Sequence, residues 1–125
     1  MKKLLSFAIL AVAFMVSAFT MVAQAANQVQ ALHILVPTEA QAVMIRHKIV
    51  SGTTDQKEIF QNFMNAAKEY SKCPSGKSGG ILGWFSKGDM VKPFEEAAFN
   101  LQNGEVSEPV KTQFGWHLIY VISKK

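Results

Sequence analysis

The chain has 125 residues, 49% of them hydrophobic, and a formal net charge of +4. Its Lys and Arg residues are scattered singly rather than blocked, which leaves no electrostatic footprint for a nucleic acid. A single cysteine excludes an intramolecular disulfide.

Lys2 and Lys3 form a short basic segment, and Leu4 to Val22 is uncharged and mostly apolar. Ala23-Gln24-Ala25 fits an A-x-A cleavage pattern, and the chain then turns polar at Asn27, Gln28 and Gln30. Residues 1–25 therefore read as a secretory signal peptide, leaving a domain of residues 26–125. The alternative is an uncleaved membrane anchor, since the apolar run approaches the roughly 20 residues that span a bilayer. Small residues at both cleavage positions, with no basic cluster behind them, favour cleavage and a periplasmic or secreted product. Without Lys2 and Lys3 the remainder carries 11 basic and 9 acidic residues. About 100 residues suffice for one core. An unpaired cysteine in an exported protein asks for a reason, because oxidising compartments expose thiols to pairing.

Val29 to Val36 alternates, with Leu32, Ile34 and Val36 on one face and Ala31, His33 and Leu35 on the other, which predicts a strand buried on both faces. Pro37 ends it. Thr38 with Gln41 is a capping-box signature for a helix to about Val50, stopped by Ser51-Gly52. Asp55 with Glu58 starts a second helix, in which Ile59, Phe63, Ala66 or Ala67, and Tyr70 recur at helical spacing to form a buried face ending near Ser71. A glycine-rich loop follows, then a short strand at Ile81 to Phe85 and a turn at Lys87-Gly88-Asp89. Pro93 suits the first turn of a short helix whose Phe94, Ala97, Ala98 and Leu101 face inward, ended by Asn103-Gly104. Val106 to Thr112 reads as an edge or irregular strand broken by Pro109. Phe114-Gly115 marks a tight turn before Trp116 to Ile122, the strongest strand signal. This order predicts an α+β fold with an antiparallel or mixed sheet.

Gly76-Lys77-Ser78 is a weak nucleotide signal. A phosphate loop needs glycine where Ser71 stands, a strand before it and a helix after it. A zinc site needs closely spaced ligand pairs, and His33, Cys73 and His117 supply none. His47 reads as a boundary or exposed helix residue. Histidines in strands are commonly hydrogen-bonded core residues, and two on adjacent strands can orient one another without transferring a proton. Cys73 lies between Lys72 and Pro74, a setting that argues for partial exposure. A thiol-dependent enzyme centred on it lacks the second cysteine of a C-x-x-C motif.

Several separated segments agree, in order, with one family. Ala31-Leu32-His33-Ile34-Leu35-Val36, Cys73-Pro74-Ser75-Gly76-Lys77-Ser78-Gly79-Gly80, Leu82-Gly83-Trp84-Phe85, Pro93-Phe94-Glu95-Glu96-Ala97-Ala98-Phe99 and Thr112-Gln113-Phe114-Gly115-Trp116-His117 resemble the parvulin-type peptidyl-prolyl cis-trans isomerases. The resemblance implies a parvulin-like (FKBP-like) α+β domain, a four-stranded sheet surrounded by three to four helices. It implies that Leu82, Met90 and Phe94 take the substrate proline ring, and that His33, Cys73, Thr112 and His117 surround the amide being twisted. No cofactor and no metal are implied. Expected partners are proline-containing unfolded or nascent exported polypeptides, met by a monomer. Gln113 and Phe114 lie beside this group without an assigned role. Pro37-Thr38-Glu39 follows the first strand directly, where phosphate-directed members carry a basic insertion, so no phosphate preference is expected. Ile81 departs from the family, which has an acidic residue after the glycine pair, so the loop must be held in another way. A binding or chaperone module of this fold with little turnover is the alternative function.

Overall fold

A computed structural model describes residues 26–125. The expected signal segment, residues 1–25, lies outside the described residues. Strand β1 (Gln28–Val36) is followed by helices α1 (Glu39–Val50) and α2 (Gln56–Tyr70), a 3-10 turn (Pro74–Ser78), β2 (Ile81–Ser86), α3 (Lys92–Asn100), β3 (Val110–Thr112) and β4 (Gly115–Lys124). The sheet order is β2-β1-β4-β3, and every neighbouring pair is antiparallel.

The predicted caps form with small changes. Thr38 Oγ1 accepts from the Gln41 amide at 3.2 Å, and Asp55 Oδ1 accepts from the Lys57 amide at 2.9 Å. Glu58 does not reach back to Asp55. It accepts instead from the Thr53 hydroxyl at 2.8 Å. Tyr70 was expected on the buried face of α2 but is only half-buried. A phenol at the last turn needs a polar partner, and its hydroxyl accepts from Lys48 Nζ at 2.8 Å. Helix α3 stops at Asn100, three residues before the expected Asn103-Gly104 terminus. Near Pro109 the ladder breaks. Val106 makes an isolated bridge to Tyr120, and regular pairing resumes at Val110.

Because side chains alternate across a strand, the sheet buries two separate cores. On one face Leu32, Ile34, Val36, Leu118 and Tyr120 pack against Ala42, Ile45 and Ile49 of α1 and Ile59, Phe63, Ala66 and Ala67 of α2. On the other, Val29, Ala31, Ile119 and Val121 meet Phe85, Phe94, Ala98 and Leu101. Each large apolar side chain so buried contributes about 1.5–3 kcal/mol. Helix α3 is nine residues long and covers one end of its face. His33 and Leu35 extend that face beyond Ala31 along β1, and His117 is the β4 partner of Leu35.

Two irregularities shape this end. The β1–β2 register shifts between Ala31 and Leu32, which face Gly83 and Ile81, so Leu82 has no partner and is turned out of the ladder as a bulge. Beyond Leu32 the edge of β1 is taken by the glycine-rich loop. The His33 amide donates to the Gly80 carbonyl at 2.9 Å, the Leu35 amide to Ser71 Oγ at 3.1 Å, and the Lys72 amide to the Leu35 carbonyl at 2.7 Å.

Candidate active site

The uncovered end of the α3 face is an open cleft of about 460 Å³, and its lining is predominantly apolar. Its floor is a pair of histidines. His33 Nδ1 and His117 Nδ1 lie 3.2 Å apart, with the rings nearly parallel at an interplanar angle of 19°. His33 Nε2 is 3.2 Å from Ser75 Oγ, and His117 Nε2 is 2.8 Å from Thr112 Oγ1. The Thr112 oxygen also accepts from the Phe114 amide at 3.1 Å. Phe94 meets both imidazoles edge-on, at centroid distances of 5.6 Å and 5.2 Å.

Hydrogen-bond accounting limits the protonation of this chain. An Nδ1-to-Nδ1 contact holds one proton, so one ring donates and the other accepts. Two neutral rings satisfy the contact in opposite tautomers, with a hydroxyl at each end able to donate or accept. Two imidazolium rings would aim N–H at N–H. Burial, with the neighbouring His117 adding to it, pushes the His33 imidazole down to about 4. Burial also lowers the His117 value. The floor of the cleft is therefore uncharged at neutral pH.

The walls come from four elements. Leu82 enters through the β2 bulge, Met90 and Val91 precede α3, Phe94 comes from its first turn, and Leu35 from β1. Cys73 lines the cleft at the start of the 3-10 turn and is partly exposed, as its setting in the sequence indicates. Its loop is held by backbone bonds. The Gly80 amide donates to the Ser75 carbonyl at 2.8 Å and the Gly79 amide to the Gly76 carbonyl at 3.0 Å. No acidic side chain is needed after the glycine pair, and Ile81 points away from the protein with nearly half its surface exposed.

Six of the seven residues expected in the site, His33, Cys73, His117, Leu82, Met90 and Phe94, line the cleft directly, and Thr112 joins through His117. Gln113 is exposed and is not among the lining residues, whereas Phe114 is. Sequence reasoning missed Ser75, Leu35 and Val91. Ser75 carries no signal of its own in the glycine-rich loop. Leu35 was legible as the next residue on the His33 face. His47 is exposed on α1, away from the cleft. Among the described residues no three His, Cys, Asp or Glu side chains converge on a point suited to a metal ion.

A small α+β domain whose two central strands present a neutral histidine pair to an apolar cleft has the layout of a parvulin-type domain. The family model for the rotamase, PPIC-type PPIase domain matches residues 33–123, and the chain belongs to that family. It is 46% identical over 99 residues to the foldase protein PrsA of Geobacillus kaustophilus, covering 78% of this chain and 32% of that one. It is 48% identical to the putative peptidyl-prolyl cis-trans isomerase Cbf2 of Campylobacter jejuni, covering 74% of this chain and 34% of the relative. The chain thus spans about a third of the length of these curated relatives. Among solved structures, NmPin, the parvulin of Nitrosopumilus maritimus, matches with a TM-score of 0.64 at 46% identity, covering 78% of this chain and 97% of NmPin. A protein from work on two SurA-like chaperones of Campylobacter jejuni matches with a TM-score of 0.76 at 45% identity, covering 80% of this chain and 40% of that one.

Proposed function

We propose that this domain catalyses cis-trans isomerisation of X-Pro peptide bonds in exported polypeptides, with no covalent step. The observation that carries the reading is the uncharged His33–His117 floor inside an apolar cleft. Rotation about the bond crosses about 18–20 kcal/mol because amide resonance is lost. Resonance also separates charge, placing negative charge on oxygen and positive on nitrogen. The twisted amide is the less polar of the two. An apolar lining over an uncharged floor stabilises the twisted form relative to the planar one, which is catalysis by differential binding. Leu82, Met90 and Phe94 hold the proline ring. His33, Cys73 and His117 lie beside the amide, and Thr112 holds His117 in place from behind. Cys73 acts as a polar group beside the carbonyl.

No Lys or Arg is among the residues lining the cleft, which supports turnover without phosphate preference. Residues 1–25 act as a cleaved export signal, so the mature protein begins at Ala26, and the domain acts as a monomer. The test is a cis-to-trans assay on X-Pro peptides, with the rate carried to Met90→Ala. Met90 is half-buried, so its loss spares the fold. A drop in kcat/KM of about tenfold, worth about 1.4 kcal/mol of transition-state binding, is expected. An unchanged value in that variant overturns the pocket assignment. Binding of the same peptides without turnover would favour the chaperone module, a reading supported by the SurA-like description of the Campylobacter jejuni relatives.

A further inference from the structure

The stretch that leads into β3 pairs with β4 in two registers. Val106 faces Tyr120, and Val110 faces His117. From Val106 to Val110 is four steps, whereas from Tyr120 to His117 is three, so one residue of the leading stretch is extra. That is a β-bulge, and it decides which face Thr112 takes. Residues paired across a ladder share a face, and so do alternate residues along a strand. Val106 and Tyr120 lie in the core that α1 and α2 cover. Without the extra residue, Val110 and Thr112 would keep the parity of Val106 and point to that core. With it they take the parity of His117. Val110 packs against the core beneath α3, and Thr112 Oγ1 meets His117 Nε2 at 2.8 Å.

Two side chains satisfy the backbone groups that the bulge releases. In a regular antiparallel pair Ser107 and Ile119 would exchange both backbone bonds. Only one of them forms, from the Ser107 amide to the Ile119 carbonyl at 2.8 Å. The Ile119 amide donates instead to Ser107 Oγ at 2.9 Å. The Ser107 carbonyl accepts from Arg46 Nε at 2.9 Å, and the Val106 carbonyl accepts from Arg46 Nη2 at 3.3 Å. Ser107 is buried, so a group left without a partner there is costly. Arg46 also pairs with Glu108 at 3.3 Å, but Glu108 is exposed, and such a surface pair adds little. We infer that Arg46 and Ser107 are positioning residues for the active site, holding the bulge that turns Thr112 toward His117. Arg46 does this from α1, around the edge of the sheet, and is not among the residues lining the cleft. Pro109 favours the same state, because in the regular register it would face His117 with no amide to donate. Loss of the guanidinium frees the Ser107 carbonyl to compete with Oγ for the Ile119 amide, and the strand that carries Thr112 loses its fixed register.

The test is a double-mutant cycle on the full chain: Arg46→Met, Thr112→Val and the two combined. The cis-to-trans assay is run at temperatures where thermal unfolding shows every variant folded, and this readout rests on the isomerase reading. Arg46→Met should lower kcat/KM about tenfold, the effect of misplacing a group that serves the site. In the Thr112→Val background the same change should cost less than about twofold, because the group it positions is already gone. Independent losses that multiply would overturn the inference and leave Arg46 a stabilising residue only. Full kcat/KM in Arg46→Met would do the same. A second readout needs no turnover. Long-range proton–nitrogen NMR spectra of the imidazoles report whether His117 Nε2 keeps its hydroxyl partner. Arg46→Met should shift the His117 nitrogens in the same direction as Thr112→Val does, and unchanged His117 signals would overturn the inference. If the unaltered chain turns over no X-Pro peptide, the isomerase reading fails by itself, and the nitrogen shifts alone decide whether Arg46 positions Thr112. Should Arg46→Met not fold, Arg46→Gln carries the same comparisons.

Discussion

At the scale of the residue, the histidine pair ties stability to acidity. His33 has a folded value of about 4 against 6.5 when unperturbed, burial being the main cause. Between those values the unfolded chain binds more protons than the folded one. Stability is therefore full above about pH 6.5 and is lost as pH falls toward 4. The shift is worth on the order of 3 kcal/mol. Urea unfolding at pH 7 and pH 4.5 should show this loss in the unaltered chain, and a smaller one in His33→Gln, where only the carboxylates and other histidines respond. Equal pH dependence in the two would show that His33 is protonated in the folded state already. Thr112 offers a second measurement. Its hydroxyl serves both His117 Nε2 and the Phe114 amide, and Thr112 is buried. Thr112→Val removes the oxygen while keeping the shape, leaving two partners unpaired, each at about 1–3 kcal/mol. We expect lower stability together with a fall in kcat/KM, since the tautomer of His117 loses its anchor. Full activity at matched folded fraction would place Thr112 outside the working chain. His33, His117 and Thr112 were legible because the segments that carry them resemble the parvulin-type family; strand periodicity alone placed the two histidines no further than in a core. Ser75 was not, because which loop hydroxyl meets His33 Nε2 depends on the path of a 3-10 turn that no periodicity announces.

At the scale of the element, the glycine-rich loop does the work of a strand. It pairs with β1 where β2 has stopped, and this brings Cys73 and Ser75 to the histidines. Gly80 makes the approach. Its φ is +86°, and a Cβ there would collide with the carbonyl oxygen of His33, the residue whose amide donates to the Gly80 carbonyl. Gly80→Ala adds a left-handed penalty of about 1–2 kcal/mol to that collision, so the loop must leave β1. Gly52 is the control, with a φ of +81° and open space around it. Gly52→Ala should lower stability slightly and leave turnover unchanged, whereas Gly80→Ala should lower both. Equal kcat/KM in the two variants would show that loop pairing does not organise the site. The glycine pair was legible as a turn, and the alternation of β1 gave both of its buried faces. The bulge at Leu82 was not legible, since Ile81 to Phe85 reads as a regular strand. The slip arises from pairing with Ala31 and Leu32, a tertiary effect that a local pattern does not contain.

At the scale of the whole molecule, the sheet separates support from function. One core lies between the sheet and α1 with α2, and the other lies beneath α3 and continues into the cleft. Substitutions of similar size on the two faces should therefore have different consequences. Ile45 is buried in the first core, on the side of the sheet away from the histidines. Ile45→Val removes one methylene at about 0.5–1.5 kcal/mol. In a domain of this size that lowers Tm by about 4–8 °C per kcal/mol. Turnover of the folded fraction should stay constant, because no cleft residue leans on Ile45. Phe85 is buried in the second core and packs against Phe94 at a centroid distance of 6.0 Å. Phe94 in turn touches both imidazoles. Phe85→Leu leaves a void behind Phe94, which lets the ring withdraw from the cleft wall and from the histidines. Its thermal cost should be of the same order or larger, and kcat/KM should fall severalfold at temperatures where both variants are fully folded. The comparison is decisive because stability is measured alongside activity. If Ile45→Val lowers kcat/KM as much as Phe85→Leu does, the two cores act as one body and the sheet transmits packing changes across its thickness. If neither variant alters kcat/KM, the position of Phe94 is set by the backbone of α3 rather than by the ring beneath it.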